Sequence, residues 1–252
     1  MSESTSIRTI LVTGGSHGLG SFLVEHFARA GDRVVFTFAS SEDKALALQE
    51  RLSREGLKVV ASKADATNFR QAHQLVDDVV ERWGTLDILI NNVGGAGRAE
   101  GYIWEISEEV WDEVIGLNLK SCFNYTHAVA PVFIEQHAGT IVNIGSINGL
   151  RGKERQPAYT SAKAGMLGFT KSMAKELGPF GINVNMVASG YIGTEKQRLK
   201  VSENHKLRIL EATALKHLVE PAEVARVVSF LASADAEHIT GAVLRLDAGE
   251  YI

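Results

Sequence analysis

Tyr159 and Lys163 stand four residues apart in a segment of strong helical period, so both side chains lie on one helix face. A phenol with a pKa of about 10 is a poor proton donor or acceptor near neutrality. An ammonium within several ångströms favours the phenolate and lowers that value. Ser146, at the exit of an apolar run, can donate a hydrogen bond to a substrate carbonyl oxygen, although a loop serine capping a turn would look the same. Asn118, between Leu117 and Leu119, reads by itself as a satisfied buried amide in a helix. Upstream, Thr13-Gly-Gly-Ser-His-Gly-Leu-Gly20 follows an apolar run and opens a helical pattern. Gly14, Gly18 and Gly20 have the spacing G-x3-G-x-G, with Ser16, His17 and Leu19 between them. Such a turn lets the backbone approach a pyrophosphate, whose charge the following helix N-terminus favours.

Other chemistries find less support. The eight histidines (17, 26, 73, 127, 137, 205, 217 and 238) form no H-E-x-x-H or other ligand spacing, so no metal site is expected. Ile144 precedes Gly145-Ser146, so the G-x-S-x-G elbow of a serine hydrolase is missing. The single Cys122 cannot make an internal disulfide. The acidic pairs Glu108-Glu109 and Asp112-Glu113 sit at a helix start, where they suit the helix dipole.

These residues need a scaffold. Short runs rich in Val and Ile, at Ile7–Val12, 33–38, 58–62, 86–90, 140–144, 183–187 and 243–246, read as buried strands. Helical patterns at 18–30, 41–55, 68–83, 107–136, 159–178 and 221–233 alternate with them. Along 159–178, Ala162, Met166, Phe169, Met173 and Leu177 form one apolar face, bounded by Pro157 and by Gly178-Pro179. The alternation predicts an α/β fold: one doubly wound, Rossmann-type domain over residues 1–252, with about seven parallel strands and helices on both faces. Ligands of such sheets bind beyond the carboxyl ends of the strands, where strand order reverses. At 45% apolar, 22% charged and net charge −4, the 252 residues exclude a disordered chain and a strongly basic nucleic-acid module. The N-terminus lacks the pattern of a secretory signal and no window of 18 apolar residues occurs, so a soluble cytoplasmic protein is expected.

Taken together, the motifs resemble the short-chain dehydrogenase/reductases from about Ile7 to Gly249. Asn91-Asn92-Val93-Gly94 is similar to that family's Asn-Asn-Ala-Gly, and Tyr159-Thr-Ser-Ala-Lys163 matches its Tyr-x3-Lys. The resemblance implies a tetrad of Asn118, Ser146, Tyr159 and Lys163. The mechanism it implies is hydride transfer between a nicotinamide and a carbonyl carbon, with Tyr159 protonating the oxygen and Ser146 polarising it. It further implies that the Asn118 backbone carbonyl holds a water leading to Lys163, and that Lys163 also bonds the nicotinamide ribose. The cofactor would meet Asp65 at the adenine, Asn91, Val93 and Gly94 after the fourth strand, and Gly190, Ile192 and Thr194 after the sixth, Thr194 toward the carboxamide.

Departures from the family pattern are modest. Ala188-Ser189-Gly190 replaces a Pro-Gly, and Val93 replaces an alanine. The nearest overall pattern is that of 3-oxoacyl-(acyl carrier protein) reductases, yet His137 and Phe180 stand where those carry basic residues for the acidic carrier. Residues 191–215 are expected to form a substrate lid bearing Lys196, Arg198, Lys200, Lys206 and Arg208. The position of the acid that bonds the adenosine ribose in NAD-specific folds falls on Phe38. With Ser40 and Ser41 following, this favours NADP(H) over NAD(H), while Glu42 and a neutral His17 argue the other way. The expected function is an NADP(H)-dependent oxidoreductase of a carbonyl or secondary alcohol, a 3-oxoacyl thioester being the narrower candidate. Alternatives are a reductase of sugars or small ketones and a non-catalytic dinucleotide-binding regulator. A homotetramer is expected from the family's pairing of helices like 107–136 and 159–178, with no nucleic acid or membrane as partner.

Overall fold

The computed structural model describes residues 7–97, 100–194 and 202–252. Seven parallel strands form one sheet in the order β3-β2-β1-β4-β5-β6-β7. They are β1 (Thr9–Val12), β2 (Arg33–Phe38), β3 (Val59–Lys63), β4 (Ile88–Asn91), β5 (Gly139–Ser146), β6 (Ile182–Ser189) and β7 (Val243–Leu246). Order reverses between β1 and β4, and the register Val12↔Ile90 sets the ends of those two strands level. Beyond that point is where the βαβ rule places the ligand crevice.

Helices cover both faces, because the central strands are apolar on both sides and must be buried on both. On one face α1 (Leu19–Arg29), α2 (Glu42–Arg54) and α9 (Pro221–Leu231) pack on Ile10, Val34, Phe36 and Val187. On the other, α3 (Phe69–Trp83), α5 (Ser121–Gln136) and α7 (Pro157–Leu177) pack on Leu11, Val35, Leu89 and Ile141. Phe27, Phe36 and Phe133 are wholly buried, and each such side chain contributes about 1.5–3 kcal/mol relative to exposure. Asn68 caps α3 by accepting from the backbone N–H of Arg70 and Gln71, and Gly84 closes the helix in the left-handed region.

The helical pattern at 107–136 is not one regular helix. It begins as α4 (Glu108–Ile115), widens into a π-helical stretch over Gly116–Lys120, and resumes as α5. Periodicity does not register this widening, because the apolar stripe continues through it. A short α6 (Asn148–Arg151) follows β5, and α8 (Glu203–Ala212) lies within the expected lid. Lys196, Arg198 and Lys200 of that lid lie outside the described residues. No helix among the described residues is long and apolar enough to cross a membrane.

Candidate active site

The glycine-rich turn is built around a hydroxyl and an amide. Thr13 Oγ1 accepts from the backbone N–H of Asn92 at 2.9 Å and of Val93 at 3.0 Å. Asn92 Nδ2 donates back to the carbonyls of Thr13 and Gly14 at 2.8 and 3.0 Å. The loop after β4 therefore holds the turn after β1. Thr37 Oγ1, from β2, accepts from Gly14 N–H at 2.9 Å. Sequence reasoning missed the roles of Thr13 and Asn92, although both lay inside the motifs it quoted.

Gly20 has to be glycine for a steric reason. A Cβ there would stand 2.0 Å from the Gly14 carbonyl oxygen and 2.8 Å from Asn92 Nδ2. The first turn of α1 thus presses directly on the loop. Gly18 precedes α1 with φ +58°. Ser16 is buried with Oγ 2.9 Å from His17 Nδ1. The glycine cradle at a helix N-terminus fits the pyrophosphate of a dinucleotide.

Other expected cofactor residues are placed unevenly. Val93, Gly94, Gly190, Ile192 and Thr194 lie in the segments leaving β4 and β6, beside the crevice. Asn91 turns its side chain away: Nδ2 donates to Thr126 Oγ1 and Asn143 Oδ1 in the buried interior, so only its backbone can face a cofactor. Asp65 Oδ1 accepts from the backbone N–H and hydroxyl of Thr67. Phe38 ends β2 with its side chain in the core, 5% exposed, so it offers neither charge nor hydrogen bond at the surface. Ser40 is exposed, and Ser41 precedes α2 without a side-chain capping bond. A residue that the sequence hid stands beside them. Lys63 is the register partner of Phe38, and its Nζ lies 3.0 Å from Glu42 Oε2. The 25-residue separation concealed it; only strand pairing brings β3 to the β2 end.

Four side chains converge where β5 meets α7. Ser146, the last residue of β5, is buried, and its Oγ accepts from Asn148 N–H at 3.2 Å. The same hydroxyl acts on the Tyr159 phenol in the sense that favours the phenolate. Burial outweighs it and pushes the Tyr159 pKa up. The expected lowering by Lys163 is not what dominates here: its Nζ sits 5.8 Å from the Tyr159 ring centroid. Tyr159 is thus held as a neutral phenol, the form that can give a proton. Lys163 is itself buried, with Nζ donating to the Ile144 carbonyl at 2.8 Å. Burial pulls its ammonium down to about 8, which poises it near neutrality.

Asn118 lies in the π-helical stretch, fully buried. Its Nδ2 donates to the carbonyls of Gly95 and Val114, and its Oδ1 accepts from Gly95 N–H. A Cβ on Gly94 would stand 2.6 Å from Asn118 Oδ1 and 3.1 Å from Lys163 Nζ, so bare backbone there is what lets the amide and the ammonium reach the same floor. Cys122, behind Lys163, is buried and its thiol pKa is pushed up to about 12, which makes it inert.

A cavity of about 460 Å³ opens beyond this site, between α8 and the approach to α9. Tyr191, Lys206, Ile209, Leu210, His217 and Leu218 are in its wall. Tyr191 directly follows Gly190, so the cavity adjoins the crevice at the β6 end.

The chain is similar to known proteins along nearly its whole length. Residues 8–205 match the family model described as short chain dehydrogenase. A 3-oxoacyl-[acyl-carrier-protein] reductase of Staphylococcus epidermidis is 35% identical over 245 residues, covering 97% of this chain and 99% of that protein. An acetoacetyl-CoA reductase of Rhizobium meliloti is 38% identical over 244 residues, covering 97% and 98%. The crystal structure of gox2181 superposes with a TM-score of 0.92 at 34% identity, covering 97% of this chain and 95% of that one. These likenesses set aside the non-catalytic alternative. With this sheet order, this turn and these matches, the chain belongs to the short-chain dehydrogenase family and is an oxidoreductase acting on CH–OH and C=O groups.

Proposed function

We propose that this single-domain enzyme reduces the ketone of a 3-oxoacyl thioester with NADPH, using Ser146, Tyr159 and Lys163 with Asn118 behind them. The convergence of a neutral, half-buried phenol, a hydroxyl and a buried ammonium carries the reading. A bound nicotinamide supplies the hydride. As charge develops on the substrate oxygen, Ser146 donates a hydrogen bond and Tyr159 gives its phenolic proton. The resulting phenolate is a half-buried anion, and the Lys163 ammonium, 5.8 Å from its ring, stabilises it. Asn118 fixes the Gly95 backbone beside that ammonium, so the loop after β4 cannot drift into the substrate's place. In the oxidative direction the same groups act in reverse.

The thioester assignment follows two similar proteins, one named for a carrier-protein substrate and one for a CoA ester. His137 is exposed at the end of α5 and Phe180 is half-buried, so neither offers the fixed positive charge an acidic carrier protein would need. A CoA-sized thioester fits better. Activity with acetoacetyl-CoA, followed by NADPH absorbance beside a panel of sugars and small ketones, tests this. Turnover confined to the panel would replace the reading with the sugar or ketone reductase.

The NADP(H) preference rests on Lys63 beside the uncharged Phe38, with the Ser40 and Ser41 hydroxyls near the start of α2. Glu42, which the sequence set against a phosphate, is already paired with Lys63. A charge-assisted bond to a 2′-phosphate contributes about 1.5–3 kcal/mol, roughly tenfold or more in affinity. Adenosine 2′,5′-bisphosphate should bind tighter than 5′-AMP, and Lys63→Met or Phe38→Asp should shrink the difference. Equal binding by the unmodified protein would reverse the preference.

The assembly we propose is a homotetramer. An open groove of about 560 Å³ runs between α5 and α7, with Leu119, Phe123, Phe169 and Met173 in its walls. Phe123 is 42% exposed in the single chain, and a second copy laid antiparallel would cover it. Sedimentation at the mass of one chain would overturn this assembly.

A further inference from the structure

Away from the crevice, two histidines 54 residues apart in sequence meet where α3 and α5 pack. His73 Nε2 lies 2.9 Å from His127 Nδ1. His73 Nδ1 lies 2.9 Å from the carbonyl oxygen of Phe69, one turn back on α3. A carbonyl only accepts, so His73 Nδ1 carries a proton and donates it. In the neutral ring Nε2 is then bare, with its lone pair aimed at His127. The contact is a hydrogen bond if His127 carries a proton on Nδ1; in the other tautomer both nitrogens offer lone pairs, and a small turn of the His127 ring lets the two meet one cation off the line between them.

The surroundings hold this geometry. The Phe69 ring is centred 4.2 Å from the His73 ring and 5.0 Å from the His127 ring. Phe123 closes the His127 side at 5.6 Å. Both imidazoles pack on aromatic rings, and His127 is exposed to solvent in the single chain. A histidine that donates its second ring N–H to a backbone carbonyl has its tautomer and ring orientation set for metal ligation. Metal–nitrogen bonds of about 2.0–2.1 Å at a cis angle need nitrogens about 3 Å apart. The observed separation is within a few tenths of an ångström of that.

We propose that His73 and His127 form a binding site for a divalent transition-metal ion that prefers imidazole, linking α3 to α5. Among the described residues no group of three or more His, Cys, Asp or Glu side chains could hold a metal. Two ring nitrogens are therefore the protein ligands and water completes the coordination. In the single chain the site is open and exchangeable, and Cu²⁺ binds it more tightly than Ni²⁺ or Zn²⁺ by the usual affinity order. It shares no residue with the oxidoreductase site, so it stands or falls independently of the substrate assignment.

The experiment uses the untagged full-length protein, titrated with CuCl₂ and separately with NiCl₂ in a non-chelating buffer. One ion per chain is expected, with an electron paramagnetic resonance spectrum of the copper form showing two equatorial nitrogens. Ni²⁺ should raise the melting temperature of the unmodified protein, because it binds only where the two helices are packed. His73→Ala and His127→Gln should each weaken binding at least tenfold and abolish the thermal shift. His238→Ala, on an exposed unrelated surface, should leave both unchanged. Undiminished one-to-one binding in the His73→Ala/His127→Gln double variant would overturn the site, as would no stoichiometric binding by the unmodified protein.

Discussion

Asn118 and Gly95 grip each other twice, amide to peptide: Gly95 N–H donates to Oδ1 at 3.0 Å and Nδ2 donates to the Gly95 carbonyl at 2.9 Å. The side chain behaves as a surrogate β-partner for one residue of the loop after β4. The π-helical stretch is the local cost of aiming it there, since the widened turn rotates Asn118 toward the sheet. Asn118→Ala leaves both Gly95 groups unpaired in a part-buried place. We expect a loss of about 2–3 kcal/mol in stability, together with a fall in kcat. Urea midpoints measured beside steady-state rates check this, and a variant as stable as the parent would show that the loop is held by something else.

Tyr159→Phe removes one hydroxyl from a site otherwise unchanged. General acid catalysis by a positioned group contributes about 10²–10⁴-fold, so kcat should fall in that range with acetoacetyl-CoA. Cofactor affinity, read from fluorescence quenching, should stay as it was. Retained turnover would remove Tyr159 from the proton-transfer step.

Lys163→Met should make the protein more stable at pH 7 while stopping catalysis. The buried ammonium titrates at about 8, below the roughly 10.4 of an exposed lysine. Between those values the unfolded chain binds the proton more tightly, so stability of the parent rises with pH across that window. Below about pH 8 the full destabilisation by the buried charge is present; above the unfolded value it has gone. The variant's advantage, about 1–3 kcal/mol at pH 7 because the bond to Ile144 is lost with the charge, should therefore shrink toward pH 10. Denaturation midpoints at pH 7 and 10 decide it: a gap independent of pH would mean that Lys163 is not a depressed cation.

Gly20→Ala places a methyl 2.0 Å from the Gly14 carbonyl. Backbone cannot yield as a flexible side chain does, so the turn must open. Binding of NADPH and of NADH should weaken together, at least tenfold. Calorimetric titration with each, checked against circular dichroism for an intact fold, tests the point; an unaltered affinity for both would place the pyrophosphate elsewhere.

The α/β class and the alternation of elements could be read directly from residue type. Thr9–Val12 or Ile88–Asn91 have few ways to be anything but buried parallel strands, because three consecutive apolar side chains in each need cover on both faces. The Gly14–Gly20 turn and the Tyr159–Lys163 face were legible for the same reason: both are local, and local geometry follows from spacing. Contacts between distant segments were not. The pairing of Lys63 with the β2 end, the Thr13–Asn92 clamp, the inward turn of Asn91 and the meeting of His73 with His127 all depend on strand order and helix packing. So does the protonation of Tyr159 and Lys163. Spacing alone sets a lysine near a tyrosine, whereas burial of both groups decides that the phenol keeps its proton and the ammonium loses its own more readily. Sequence determined which groups are present and which share a helix face; the tertiary structure decided their desolvation and their partners, because those are properties of what surrounds a side chain and not of the chain that carries it.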